Sequence, residues 1–176
     1  ILNNVTIEDE VSIGENVYIK NGARIGQTGF GFVKNEKGEW EKFPQIGDVI
    51  IEDNVEIGAN TCIDRGALST TTIGYGTKID NLVHIAHNVC IGKNCIIICN
   101  ISIAGSCIIE DDVWIGPSST INNGLKIGSN SFISMCSVVI HNVPPNSDII
   151  GYPAEPKELF VKKRAILYKK LKGESI

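Results

Sequence analysis

Aromatic residues are scarce in this sequence: five Phe, four Tyr and two Trp, 6% of 176 residues. A core of ordinary shape uses such rings to fill volume, so this interior must be filled by other means. Methionine occurs once and histidine three times. No apolar run reaches the ~18 residues that a membrane-spanning helix needs. Basic charge is not in excess, with 16 Lys and Arg against 20 Asp and Glu for a net −4, which excludes a general nucleic-acid footprint. The six cysteines include no CxxC pair. Residues 1–10 mix Asn, Thr and acids where a secretory leader would be basic and then apolar. Free thiols in a reducing cytoplasm are therefore expected.

What is present is period. Ile73, Ile79, Ile85, Ile91, Ile97, Ile103, Ile109, Ile115, Ile121, Ile127, Ile133 and Val139 follow one another every six residues. The same step runs through Ile7, Ile13, Ile19 and Ile25, and again through Ile51, Ile57 and Ile63. Four residues after each Ile stands a compact residue, as at Thr77, Val83, Val89, Cys95, Ile101, Cys107 and Val113. An α-helix would scatter a six-residue period around its circumference, whereas short β segments with a turn every six keep every Ile on one side. Three segments close one coil of 18 residues, and coils stack at about 4.8 Å by parallel pairing. The expectation is an all-β parallel β-helix over 1–150. Spacing does not set its hand.

Two interruptions break the step. Between Ile25 and Ile51 lies Gly29-Phe30-Gly31-Phe32 and a polar run through Trp40, Pro44 and Gly47, an inserted loop at about 29–49. A loop of that length is usually functional, though a decorative insertion is the plainer reading. Between Ile63 and Ile73 the step slips at Asp64-Arg65-Gly66-Ala67, which predicts a widened corner. The period ends near Pro144-Pro145, and 151–176 reads as a tail and helix. Pro156 and Glu158 suit the helix start, Gly173 its stop, and Leu159, Phe160, Ile166, Leu167 and Leu171 form a stripe able to cap the open end. Residues 155–176 carry seven Lys and Arg against three Glu, so the rest of the chain is strongly acidic. A solvated capping helix explains that charge. So does an anionic partner, either coenzyme A phosphates or an acidic carrier protein.

A coil of 18 places His87, Gly105, Asn123 and His141 in one column. An imidazole beside a glycine can take a proton while a backbone N–H approaches a substrate closely, although a lone surface His is more often unremarkable. Cys95 and Cys107 fall on inward positions and read as small core hydrophobes rather than zinc ligands, so no metal site is expected.

Several stretches resemble one family closely: Ile25 to Phe32, Pro44-Gln45-Ile46-Gly47, Ile57 to Leu68, Ile79-Asp80-Asn81, Ile85-Ala86-His87-Asn88 and Ala104-Gly105-Ser106. They are similar to the UDP-3-O-(3-hydroxyacyl)glucosamine N-acyltransferases of lipid A synthesis, over roughly 19–156. The resemblance implies a left-handed coil, an acyltransferase without bound cofactor or metal, and a cyclic homotrimer with sites between prisms. It also implies His87 as general base and the Gly105 N–H as oxyanion donor. Asp80, Asn81 and His84 would contact the acceptor, with Phe30 and Phe32 of the inserted loop reaching across. For Asp80 and Asn81, closing a polar corner is an equally good reading.

Two departures redirect the expectation. The family's uridine-binding domain has no counterpart before Ile1, and its second histidine falls near Gly124. Shorter enzymes that acylate amino sugars on dTDP or UDP lack both and commonly end in Gly-x-Pro-Ala, which Gly151-Tyr152-Pro153-Ala154 matches. The expected reaction is therefore transfer of an acetyl or short 3-hydroxyacyl group from acyl-CoA to a dTDP- or UDP-linked amino sugar, with Asn123, Lys126 and Tyr152 near the donor. The alternatives are the lipid A enzyme with 3-hydroxyacyl carrier protein, and a non-catalytic β-helix scaffold. A γ-carbonic anhydrase would need three metal histidines, but His141 lies three coils from His87, roughly 14 Å at the strand spacing. No nucleic acid and no membrane insertion are expected.

Overall fold

The computed structural model describes residues 1–172. Nearly every strand of the repeat is two residues long, because six residues must supply one strand and one corner. The strands of the coils form three parallel sheets of seven, six and seven members, the third extended to eight by Glu155–Pro156, which pairs antiparallel at its end. The first sheet stacks Thr6–Ile7, Arg24–Gln27, Cys62–Asp64, His84–Ile85, Ser102–Ile103, Thr120–Ile121 and Val138–Val139. Ile85, Ile103, Ile121 and Val139 lie directly opposite one another at steps of 18. The architecture is the left-handed parallel β-helix with a single C-terminal helix.

Each buried Ile is covered by the Ile of the coil above and below, so a column of one residue type fills the prism without aromatics. Burial of one such side chain is worth about 1.5–3 kcal/mol. The corners are made by a left-handed backbone at the same period, for example Asn54, Asn60, Asn88, Asn94, Asn100 and Asn130, with φ between 53° and 60°. Asn tolerates that region because its short polar side chain bonds locally. Inside the corners, hydroxyls replace methyl groups and bond across the turn. Thr61 Oγ1 donates to the Asp80 carbonyl at 2.7 Å, and Thr77 Oγ1 to the Gly92 carbonyl at 2.8 Å. Cys95 and Cys107 occupy the same inward positions, fully buried, and their thiols donate to the Glu110 and Asn122 carbonyls.

Irregularities have definite sizes. Ile13 pairs with Ile51, a step of 38, so the insertion adds 20 residues to one coil. It is a β-hairpin and not a plain loop: Phe32–Lys34 pairs antiparallel with Trp40–Lys42, and Lys34 lies 5.2 Å over the Trp40 ring. Ile63 pairs with Ile85, a step of 22, which is the widened corner. Ile127 meets Val143 after only 16 residues, where Pro144-Pro145 ends the repeat. The helix spans Lys157–Leu171, and Glu155–Pro156 ahead of it pairs as a strand with Ile149–Ile150. None of the helix residues is buried; Leu159, Ile166, Leu167 and Leu171 are exposed. The stripe read as a cap therefore does not bury against the open coil; the helix packs mainly on the adjoining strands Asp148–Ile150 and Glu155–Pro156. The expected stop at Gly173 lies outside the described residues.

Candidate functional site

His87 sits on the corner that follows His84–Ile85, half-buried, with Gly105 one coil further on. The ladder fixes the pair: the Ser106 N–H donates to the His87 carbonyl and the Gly124 N–H to the Gly105 carbonyl, both at 2.9 Å. A Cβ built on Gly105 would stand 2.6 Å from His87 Cε1 and 2.8 Å from Nε2. The imidazole edge thus rests on the Gly105 backbone, in space that only glycine leaves. The Gly105 amide N–H has no acceptor among the described residues.

Asn88 fixes the ring from the other side. Its Oδ1 accepts the Ala67 N–H at 2.7 Å and the Ser69 hydroxyl at 2.9 Å, both from the widened corner. Its amide nitrogen therefore faces His87 and donates to Nδ1 at 3.1 Å. In this ring orientation a neutral His87 carries its proton on Nε2. The root of the inserted hairpin closes over the same imidazole. A Cβ on Gly29 would meet Gln45 Oε1 at 3.0 Å and His87 Cβ and Cδ2 at 3.1 Å. Gln45 is buried, and its Oε1 accepts no hydrogen bond among the described residues.

Asp64 ends the strand beside His84. The residue is 8% exposed; its carboxylate lies 3.8 Å from His84 Nε2, keeps its oxygens open to the surface and accepts no hydrogen bond among the described residues. Burial pushes its carboxyl above the usual range, and the fields of His84 and then His87 oppose that shift. Around this corner, Phe30, Ile46 and Leu68 leave apolar surface in solvent. Phe30 and Phe32 meet edge to face at 5.0 Å and line an apolar hollow of about 590 Å³ with Gly31 and Trp40.

Other expected site residues lie elsewhere on the chain. Asp80 and Asn81 turn the preceding corner, where Asn81 Oδ1 accepts the Ala59 N–H at 2.7 Å. Asn123 is exposed, two coils from His87, and His141 one coil beyond it. Lys126 stands on the second sheet with Nζ 2.6 Å from the Glu110 carboxylate, whose pKa it lowers. Tyr152 is exposed after the last coil. Among the described residues no three His, Cys, Asp or Glu side chains converge as a metal site would require. Asn88, Gln45 and Asp64 were not expected as site residues. Asn88 had a signal in being the residue after His87. Asp64 had none, because the slipped step hides that it lies one coil below Ala86.

The column geometry can be set beside known proteins. The bacterial transferase hexapeptide (six repeats) family matches residues 106–141, and the hexapeptide repeat of succinyl-transferase family matches 48–81. UDP-3-O-acylglucosamine N-acyltransferase of Methylorubrum populi is 49% identical over 155 residues, 88% of this chain and 44% of the relative. The protein of the same name from Coxiella burnetii is 48% identical over 93 residues, 53% of this chain and 27% of the relative. The chain is a hexapeptide-repeat protein resembling the UDP-3-O-acylglucosamine N-acyltransferases. This hexapeptide-repeat chain matches less than half the length of those relatives. Its fold is that of Francisella novicida UDP-N-acetylglucosamine acyltransferase, with a TM-score of 0.78 at 24% identity, covering 92% of this chain and 59% of the other.

Proposed function

We propose that this chain transfers an acyl group from a thioester to the amino group of a UDP-linked amino sugar, with His87 as the base. The observation that carries the reading is the imidazole edge lying against Gly105, beside a free backbone N–H. The amine nitrogen bonds to the thioester carbonyl carbon while its proton passes to His87. Charge develops on the carbonyl oxygen, where the Gly105 N–H donates to it. The C–S bond then breaks, and the departing sulfur takes the proton back from the imidazolium.

His87 accepts that proton at Nε2 only in its other tautomer. Half a turn of the ring exchanges Nδ1 with Cδ2, the atom that shares the Gly29 notch with Gln45 Oε1. Nδ1–H then points into the notch that the unpaired Gln45 oxygen also borders, and a bare Nε2 faces Gly105. A buried acceptor without a donor is costly, so an approach of Nδ1–H to that oxygen favours this orientation.

The relatives' names favour UDP over dTDP in the acceptor. His84 borders the acceptor, and the Phe30 and Phe32 rings offer it an apolar wall. Asp80 and Asn81 stand on another corner, and a role at the acceptor would require them to come from a neighbouring copy. The exposed apolar rim of Phe30, Ile46 and Leu68 supports a cyclic homotrimer with the site between prisms. The donor reading is acyl-CoA with an acetyl or short 3-hydroxyacyl chain, near Asn123, Lys126 and Tyr152. A second reading, 3-hydroxyacyl carrier protein, is favoured by the exposed helix, where Lys162 and Arg164 form no ion pair among the described residues. The test is a thiol-release screen crossing UDP- and dTDP-amino sugars with acetyl-CoA, 3-hydroxybutyryl-CoA and 3-hydroxyacyl carrier protein. Release no faster than hydrolysis for every pair would leave only a scaffold.

A further inference from the structure

Asp64 is the group this mechanism does not use. A carboxylate removed from water normally finds two or three donors. Here the residue is 8% exposed and its carboxylate oxygens still open to the surface, yet no protein group among the described residues donates to them, and the one titratable neighbour within 4 Å is a half-exposed imidazole at 3.8 Å. The plain reading is a loose ion pair with His84. Yet His84 lies outward on its strand with half of its side chain in solvent, and 3.8 Å is too long for a hydrogen bond. The Asp64 oxygens thus have no protein donor among the described residues and open to the surface on the same end of the sheet as His87.

We propose that Asp64 is the subsite for the acceptor's amine: the buried carboxylate binds a primary ammonium group and holds the nitrogen beside His87. This rests on the reading of an amide-forming transferase and adds the residue that selects an amine. An amino sugar arrives as an ammonium ion, which supplies both the charge and the donors the carboxylate lacks. One proton leaves to solvent to give the nucleophile. The neutral amine still donates an N–H to Asp64, which turns its lone pair away from the carboxylate and toward the thioester. A hydroxyl acceptor brings a single donor and no charge, so the buried carboxylate discriminates against it.

Equilibrium binding of matched probes tests this without turnover: UDP-glucosamine against UDP-glucose, and dTDP-linked 3- and 4-amino sugars against their hydroxy counterparts. The wild-type protein should bind the amine of at least one pair about ten- to a hundred-fold more tightly, the range for hydrogen bonds to a charged group. Asp64→Asn should erase that preference. Since it removes a charge to which no protein group among the described residues donates, it should keep the melting temperature. His84→Gln should retain the preference. Equal or absent binding of both members of every wild-type pair overturns the proposal. So does a preference that survives Asp64→Asn, or one that His84→Gln abolishes equally, since the carboxylate would then act only through His84. Thiol release with a preference indifferent to Asp64 leaves the transferase and removes the subsite. An Asp64-dependent preference without thiol release does the reverse.

Discussion

An imidazole that rests on a glycine leaves no room for a methyl group, so Gly105→Ala should act on His87 rather than on the fold. Its Cβ would push the ring from its place, because the clash is with the ring edge at 2.6 Å. We expect His87→Ala to lower kcat by about 10²–10⁴-fold and Gly105→Ala to fall in the same range. Neither should move the thermal midpoint much, since the corner lies outside the Ile core. His141→Ala, exposed and three coils away, should leave turnover near normal. Near-normal rates in both His87→Ala and Gly105→Ala would remove the base assignment. Gln45→Leu separates position from packing. It deletes a buried acceptor that has no donor, so stability should hold or rise, while kcat falls because the base-ready ring loses its partner. Steady-state kinetics beside a thermal melt reads both, and an unchanged kcat argues against the ring rotation. At Cys95, burial pushes the thiol up to about 11. The unfolded chain ionises first as pH rises above the ordinary thiol value, so the contribution of Cys95 to stability is lost between there and about 11.

At the scale of the six-residue unit, the left-handed corner is the demanding position. Asn is the commonest residue there, but Leu82 holds φ +60° while 58% exposed. A left-handed Leu costs roughly 1–2 kcal/mol, which Asn recovers in part. Leu82→Asn should therefore raise stability by about 1 kcal/mol in a denaturant titration. Ile97→Ala, mid-stack and fully buried, should lower it by about 2–5 kcal/mol through a cavity between two coils. The reverse order would mean that corners, not the Ile column, hold the prism. The same unit explains what could be read from sequence. Ile every six residues dictated parallel coils of 18, and hence the His87–Gly105 column. The hairpin escaped notice because Phe32–Lys34 and Trp40–Lys42 are short, exposed and without alternation. The Asp64–His84 approach escaped because a step of 22 breaks the arithmetic that located everything else. The helix was legible in its Pro156 start and its charge, but of its apolar stripe only Phe160 is half-buried, against Gly151, while Leu159, Ile166, Leu167 and Leu171 stay exposed.

Across the whole molecule, charge and apolar surface are both unevenly placed, and each bears on a partner. The rim of Phe30, Ile46 and Leu68 beside His87 should be covered by a second copy, so light scattering should give a trimer, and a stable active monomer would end that idea. The acyl donor is the harder choice. Acyl-CoA needs cations for its phosphates near the later coils, yet Lys126 is already paired with Glu110. The tail lysines are the remaining source, and Lys157 and Lys163 are paired with Asp148 and Glu155. Acyl carrier protein would instead meet the whole helix surface of Lys162, Lys163 and Arg164 with an acidic helix of its own. Attraction between such faces is screened within about 10 Å at 0.1 M salt, so carrier-protein turnover should fall steeply with ionic strength and CoA turnover only shallowly. We expect kcat/KM to favour acetyl-CoA or 3-hydroxybutyryl-CoA, because the carrier protein's surface must be matched by several cations at once and two of the helix lysines are engaged. The measurement compares both CoA thioesters with 3-hydroxyacyl carrier protein at two ionic strengths, in the wild type and in a Lys162→Glu, Lys163→Glu, Arg164→Glu variant. Activity with the carrier protein alone, lost on charge reversal and on added salt, would reverse the choice and make the exposed helix a docking element.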